Sequence, residues 1–146
     1  RVAEGYLWRE GAWERNGFID LTLGRRIFTT GRELYRWGQA MTDDRLLPDS
    51  LRQQLYANHL QGVNSPIAYG YGWVPYTPGG AYPMGNLELD RPYIIHGGNT
   101  EGYRSLLAVV NEGEYTVALL FNVGDRTDET ELAKKILHLL IPQEHD

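Results

Sequence analysis

Between Pro92 and Val123 three strand-like runs follow one another, 93–96, 103–110 and 115–123, with connections too short to carry a crossover helix. Strands spaced so closely pair antiparallel. Asn111-Glu112-Gly113-Glu114 supplies a hairpin between the last two, because Gly takes the positive φ that a short turn needs. A fourth run, 68–74, alternates large and small residues (Ala68-Tyr69-Gly70-Tyr71-Gly72-Trp73-Val74) with the period of a strand.

Helical signals flank these runs. Thr30-Gly31-Arg32-Glu33 has the form of a capping box. Leu34, Trp37, Ala40 and Met41 follow at helical spacing and predict a helix over 31–42. Pro48 suits a first helical turn, and Leu51, Leu55 and Leu60 continue a second apolar stripe. Asp128-Glu129-Thr130-Glu131 places acidic residues at the start of a last helix, whose buried face is Leu132, Ala133, Ile136, Leu137, Leu139 and Leu140. Residues 1–24 read as irregular structure with one hairpin, bent near Glu10-Gly11 and Asn16-Gly17, and Thr77 to Asn86 as a loop. The expected fold is α+β, an antiparallel sheet with helices packed on it. At 146 residues and 42% hydrophobic content, one domain is the default.

Charge and composition exclude several classes. With a net charge of −5 and no basic cluster larger than Arg25-Arg26 outside the helices, the chain has no means of tracking a phosphate backbone. No run approaches the ~18 apolar residues of a membrane helix. The absence of cysteine removes disulfides, thiolate metal sites and a cysteine nucleophile together. The four histidines, His59, His96, His138 and His145, are too widely spaced to pair as metal ligands, and no loop is built to cradle a phosphate. No metal or other cofactor is therefore expected.

The segment most suggestive of chemistry is His96-Gly97-Gly98-Asn99. It sets a titratable ring at the end of an apolar run, beside two glycines that bare the backbone to a polar substrate lying along a strand edge. On spacing alone His96 is more readily a structural residue at a strand end than a general base or a proton donor to an oxyanion, and Gly97-Gly98 is either a turn or an edge, with the edge favoured. No nucleophile accompanies it. Ser50 suits a helix cap, Ser65 precedes a proline and Ser105 lies within an apolar strand; none has a Lys three residues on, and the only lysines are Lys134 and Lys135, placed on the solvent side of the last helix. Tyr56-Ala57-Asn58 has the form of a Tyr-x-Asn triplet but closes a helix, where a structural role is the ordinary one.

Four segments in order resemble the serine β-lactamase-like family, which includes class C β-lactamases, penicillin-binding D-Ala-D-Ala carboxypeptidases, D-aminopeptidases and esterases. The segment from Gly24 through Thr30-Gly31-Arg32-Glu33-Leu34 to Ala40 is similar to the family's Gly-Gly-Ile-Tyr-Ser-Thr-Ala-x-Asp-Leu-x-x-Trp helix start. Tyr69-Gly70-Tyr71-Gly72-Trp73 resembles its Tyr-Gly-x-Gly-Trp strand, His96-Gly97-Gly98 its third motif, and Phe121-Asn122 the end of its last strand. The resemblance covers the C-terminal part of such a protein and implies that Ser-x-x-Lys and the catalytic Tyr-x-Asn belong to an N-terminal part that is not in this chain.

Carried across, the resemblance implies that His96 tunes the field around the serine and tyrosine and that Gly97 and Gly98 form the strand edge along which a small-molecule acyl substrate lies. It makes the Asn99 N–H one of two oxyanion donors. Gly97, where many relatives carry a hydroxyl, removes a contact to a substrate carboxylate, which weakens β-lactamase or carboxypeptidase specificity among the β-lactam, D-peptide and ester substrates of the family and leaves esterase or aminopeptidase chemistry open. The chain alone is then expected to be inactive, and to pair through exposed strand edges with the N-terminal half or with another copy. The resemblance alone points to periplasmic or secreted placement, and the residues leave the compartment, cytoplasm included, open. The alternative is a non-catalytic module that keeps the fold for binding or structure.

Overall fold

A computed structural model describes residues 2–16, 27–60, 67–77 and 85–142. Arg25, Arg26, Ser65, His145, the Gly17 bend and most of the expected 77–86 loop lie outside these ranges. The described elements are strands β1 (Gly5–Arg9) and β2 (Ala12–Asn16), helices α1 (Gly31–Ala40) and α2 (Asp49–Tyr56), strands β3 (Val74–Tyr76), β4 (Tyr93–Thr100), β5 (Tyr103–Val110) and β6 (Tyr115–Phe121), and helix α3 (Glu129–Leu140).

The main sheet is antiparallel throughout, in the order β3-β4-β5-β6. Strands β4 and β5 pair without interruption from Tyr93↔Val110 to Thr100↔Tyr103, and Glu101-Gly102 closes the hairpin with Gly102 at φ 83°. The expected 93–96 strand therefore runs four residues further, straight through both glycines. Between β5 and β6 the chain turns at Asn111, Glu112 and Gly113, all at positive φ. The sequence-based hairpin is thus present, and β6 ends two residues short of the expected Val123.

Each face of the sheet carries a core. On one side α3 lays Ala133, Leu137 and the following Ile141 against Tyr93, Ile95, Leu106, Ala108, Val110 and Val117. On the other, Leu34 of α1, Met41, and Leu55 and Tyr56 of α2 meet Trp73, Ile94, Leu107, Val109 and Ala118. Gly38 lets α1 lie directly on β5 and β6, since a Cβ there would stand 3.0 to 3.2 Å from Leu107, Thr116 and Val109 side chains. The hairpin β1–β2 turns at Glu10-Gly11 and docks on the end of β6, where Tyr6 N–H donates to the Asn122 carbonyl and Gly124 N–H to that of Tyr6.

Two expectations fail. Residues 68–73 form no strand: only Val74 to Tyr76 pair with β4, and Gly70 and Gly72 serve a turn. Gly72 sits at φ 83°, and a Cβ on Gly70 would collide with the Leu55 carbonyl oxygen. Alternating glycines suit a tight bend as well as a strand, and here contact with α2 decides. Helix α2 stops at Tyr56, so Leu60 falls beyond it, and Trp37 and Leu51, like Leu139 and Leu140 of the expected buried face of α3, point largely to solvent instead of extending the apolar stripes.

The capping box on α1 is complete. Glu33 N–H donates to Thr30 Oγ1, and Thr30 N–H to Glu33 Oε2, both at 3.2 Å. The bond from the Thr30 backbone, reinforced by the Thr30 and Thr29 hydroxyls, holds the Glu33 carboxyl below its ordinary value of 4.5. Thr30→Ala should cost about 1 kcal/mol, read from the urea midpoint. A lowered folded-state value stabilises the fold above pH 4.5 and loses that contribution as pH falls through the folded value. The stability gap between wild type and Glu33→Gln should therefore shrink on acidification.

Candidate functional site

The expected site residues all lie on β4, and the parity of that strand decides what each presents. Asn111 N–H donates to the Pro92 carbonyl at 2.9 Å, which turns the backbone of Pro92 toward β5. Counting in twos, Ile94, His96, Gly98 and Thr100 also turn toward β5. Tyr93, Ile95, Gly97 and Asn99 turn their N–H and C=O groups to the opposite edge. There β3 covers only residues 93 to 95. Pro75, which lacks an N–H, faces Ile94, where no ladder donor is needed. Among the described residues, the backbone groups of Gly97 and Asn99 thus line an uncovered strand edge.

Side chains alternate in the same way. Tyr93 and Ile95 belong to the α3-side core, so Gly97 and Asn99 sit on that face; Ile94 belongs to the other core, so His96 and Gly98 face the side of α1 and α2. The two glycines have different reasons to be there. A Cβ on Gly98 would stand 2.6 Å from Ser105 Oγ, its cross-strand partner, so that site is already filled. A Cβ on Gly97 would meet only the Ser105 carbonyl oxygen at 3.5 Å, an ordinary contact. Packing does not require a glycine at position 97.

Beside this edge lies a small cavity of about 190 Å³, lined by Val74, Tyr76, Ile95, Gly97 and Leu106, with Glu129 at the start of α3 among its polar residues. Arg104 steadies that corner: its guanidinium pairs with Glu129 at 3.3 Å and its Nε donates to the Gly124 carbonyl at 2.9 Å.

His96 is exposed, and its Nε2 lies 2.8 Å from the Tyr69 hydroxyl. The rings meet edge to face with centroids 6.0 Å apart. Of the aromatic residues in 69–73, Trp73 is core, whereas Tyr69 reaches the histidine, a contact across 27 positions that no local pattern announces.

Tyr56 and Asn58 serve the fold. The Tyr56 hydroxyl donates to the Met41 carbonyl at 2.7 Å, and burial pushes its pKa up to about 12. Asn58 Oδ1 accepts from the N–H groups of Leu60 and Tyr69. Among the described residues no cluster of His, Asp or Glu is placed to hold a metal, and no helix is long and apolar enough to cross a membrane.

Compared with known families, residues 1–141 match the sequence model of the Beta-lactamase family. The chain belongs to the Beta-lactamase family. Searches of curated proteins and of solved structures found no match. Two antiparallel sheets with three helices are consistent with part of the β-lactamase fold, a serine hydrolase-like fold, and the His96-Gly97-Gly98 strand lies in its main sheet.

Gly70 and Gly97 differ in the room they leave for a side chain and make contrasting predictions. Gly70→Ala should lose about 1–3 kcal/mol, because the new methyl meets a backbone oxygen that has little room to move. Gly97→Ala should change stability by less than about 0.5 kcal/mol. Denaturant unfolding of the two variants beside wild type measures the difference.

Proposed function

We propose that this chain supplies one wall of the active site of a β-lactamase-type serine hydrolase, which transfers an acyl group through a serine acyl-enzyme. The attacking serine and its lysine come from a Ser-x-x-Lys segment outside these 146 residues. The observation that carries this reading is the uncovered edge of β4 at Gly97 and Asn99, set beside an apolar cavity.

A substrate lying along this edge would exchange backbone hydrogen bonds with Gly97. The Asn99 N–H, already fixed by the strand, would point at the oxygen on which charge develops in the tetrahedral intermediate; a preset donor of this kind needs no reorganisation at the moment of reaction. His96 would adjust hydrogen bonding around the incoming serine from the other face. The apolar lining of the cavity suits an apolar acyl group. A bare Gly97 offers no hydroxyl to a substrate carboxylate. Together these features favour esters or D-amino-acid amides over β-lactams.

Chain alone should give no turnover of a chromogenic cephalosporin, a p-nitrophenyl ester or a D-amino-acid amide; turnover by the purified chain would overturn the proposal. Joined to the Ser-x-x-Lys-bearing portion, it should hydrolyse the ester or the amide. Asn99→Pro then removes a single N–H that faces away from β5, and kcat should fall by about 10²–10³. An unchanged kcat would remove Asn99 from the oxyanion site.

The same reading gives β6 a partner. Its backbone groups at Thr116, Ala118 and Leu120 face outward by the parity of the β5 pairing, without a hydrogen-bond partner among the described residues. The strand Tyr-Thr-Val-Ala-Leu-Leu-Phe carries no charge, proline or bulge to discourage pairing. We infer that it takes a strand from the N-terminal half of the protein or, failing that, from a second copy. Light scattering should show association beyond a monomer, weakened by Leu120→Lys; a stable monomer would count against it.

A further inference from the structure

We infer that Tyr69 is a positioning residue that fixes the tautomer of His96: its phenol O–H donates to Nε2, so the neutral ring carries its proton on Nδ1. This deepens the role proposed for His96 and rests on that reading for its catalytic meaning, although the tautomer itself does not. The two groups lie 2.8 Å apart. A phenol is a good donor and a poor acceptor, while the unprotonated nitrogen of a neutral imidazole is the strongest neutral acceptor among the side chains. The pairing that satisfies both is O–H to Nε2.

The phenol is held where the bond requires it. Tyr69 N–H donates to Asn58 Oδ1 at 3.1 Å, and the Tyr69 carbonyl accepts from His59 N–H at 2.8 Å. Immediately after it, Gly70 N–H donates to the Trp73 carbonyl at 2.7 Å, and Tyr71 N–H to that of Leu55 at 2.9 Å. Gly70 is pressed so close to Leu55 that no other residue fits. Tyr69 thus stands on a turn braced against α2 and meets a ring fixed on β4 opposite Leu107.

The consequence concerns which atom of His96 faces the chemistry. With Nε2 engaged, Nδ1–H is the remaining polar group of the ring, and it is a donor. In the neutral state His96 therefore offers a hydrogen bond to a substrate or serine oxygen and does not offer a free base. Tyr69 acts through the ring and touches no reacting atom.

The other described histidines provide internal standards. Nε2 of His59 lies 2.7 Å from the Gln54 carbonyl and that of His138 lies 3.1 Å from the Leu87 carbonyl. A carbonyl only accepts, so both rings carry their proton on Nε2.

Long-range proton–nitrogen NMR of the ¹⁵N-labelled chain, recorded about two pH units above the ordinary imidazole value of ~6.5, tests this. His96 should show an Nδ1–H ring, opposite in pattern to His59 and His138. In Tyr69→Phe the His96 proton should move to Nε2 in most molecules, while His59 and His138 keep their pattern and so report that the fold is intact. An Nε2–H ring at His96 in the wild type would overturn the inference, as would an Nδ1–H ring that survives in Tyr69→Phe. If the variant loses the His59 and His138 patterns as well, the wild-type spectrum alone decides. No substrate is involved, so the failure of the hydrolase reading and the failure of this one are separate results.

Discussion

Strand β5 is buried on both faces, and the rest of the structure follows from that. Leu106 through Val110 are all at or below 6% exposure, with even-numbered residues in the α3 core and odd-numbered ones in the α1 and α2 core. Each Leu or Val so buried contributes on the order of 1.5–3 kcal/mol of transfer free energy. A one-residue slip of β4 or β6 against β5 would turn their buried residues to the wrong cores, so register is strongly specified. That register places Gly98 against Ser105 and sends the polar groups of Gly97 and Asn99 outward. The candidate site is therefore a product of core packing on the neighbouring strand.

The parts legible in the sequence are those whose physics is local. The capping box at Thr30 and Glu33 needs only four consecutive residues, and the turn at 111–113 only a glycine between two apolar runs. Residues 68–73 were misread because alternation with glycine has two physical meanings. In a strand, glycine admits a close neighbour; here Gly70 admits the Leu55 carbonyl and Gly72 takes a positive φ. The three large residues that alternate with these glycines do not share a face. Tyr69 meets His96, Tyr71 stacks near His59, and Trp73 packs edge to face on Tyr56. Which of these contacts wins depends on where α2 lies, and no window of sequence contains that.

The candidate site was half legible. His96-Gly97-Gly98-Asn99 stood out as bare backbone beside an ionisable ring, and all four lie on β4. What distinguishes Gly97 from Gly98 was not readable, since it rests on the Ser105 hydroxyl filling the space over one and leaving the other open. The short span of β3 was equally hidden. It results from the same turn at Gly70 to Trp73, which brings the chain into the sheet at Val74, opposite Ile95. One bend thus does two things: it stops β3 before it can cover Gly97 and Asn99, and it carries Tyr69 to His96.

The main sheet consequently ends in two edges of different character. Among the described residues the β4 edge is uncovered over a few positions, flanked by Pro75 and by a histidine, and opens beside a small cavity. Short, interrupted and polar-flanked edges resist indiscriminate pairing, and a ligand that supplies only two or three backbone bonds can still lie along them. The β6 edge is a full strand of seven uncharged residues, and Leu120 on it remains 43% exposed. Such an edge suits a permanent neighbour and is a hazard without one. Among the described residues the sheet therefore carries two open stretches of unlike chemistry, on opposite sides of the doubly buried strand that fixes the register of both.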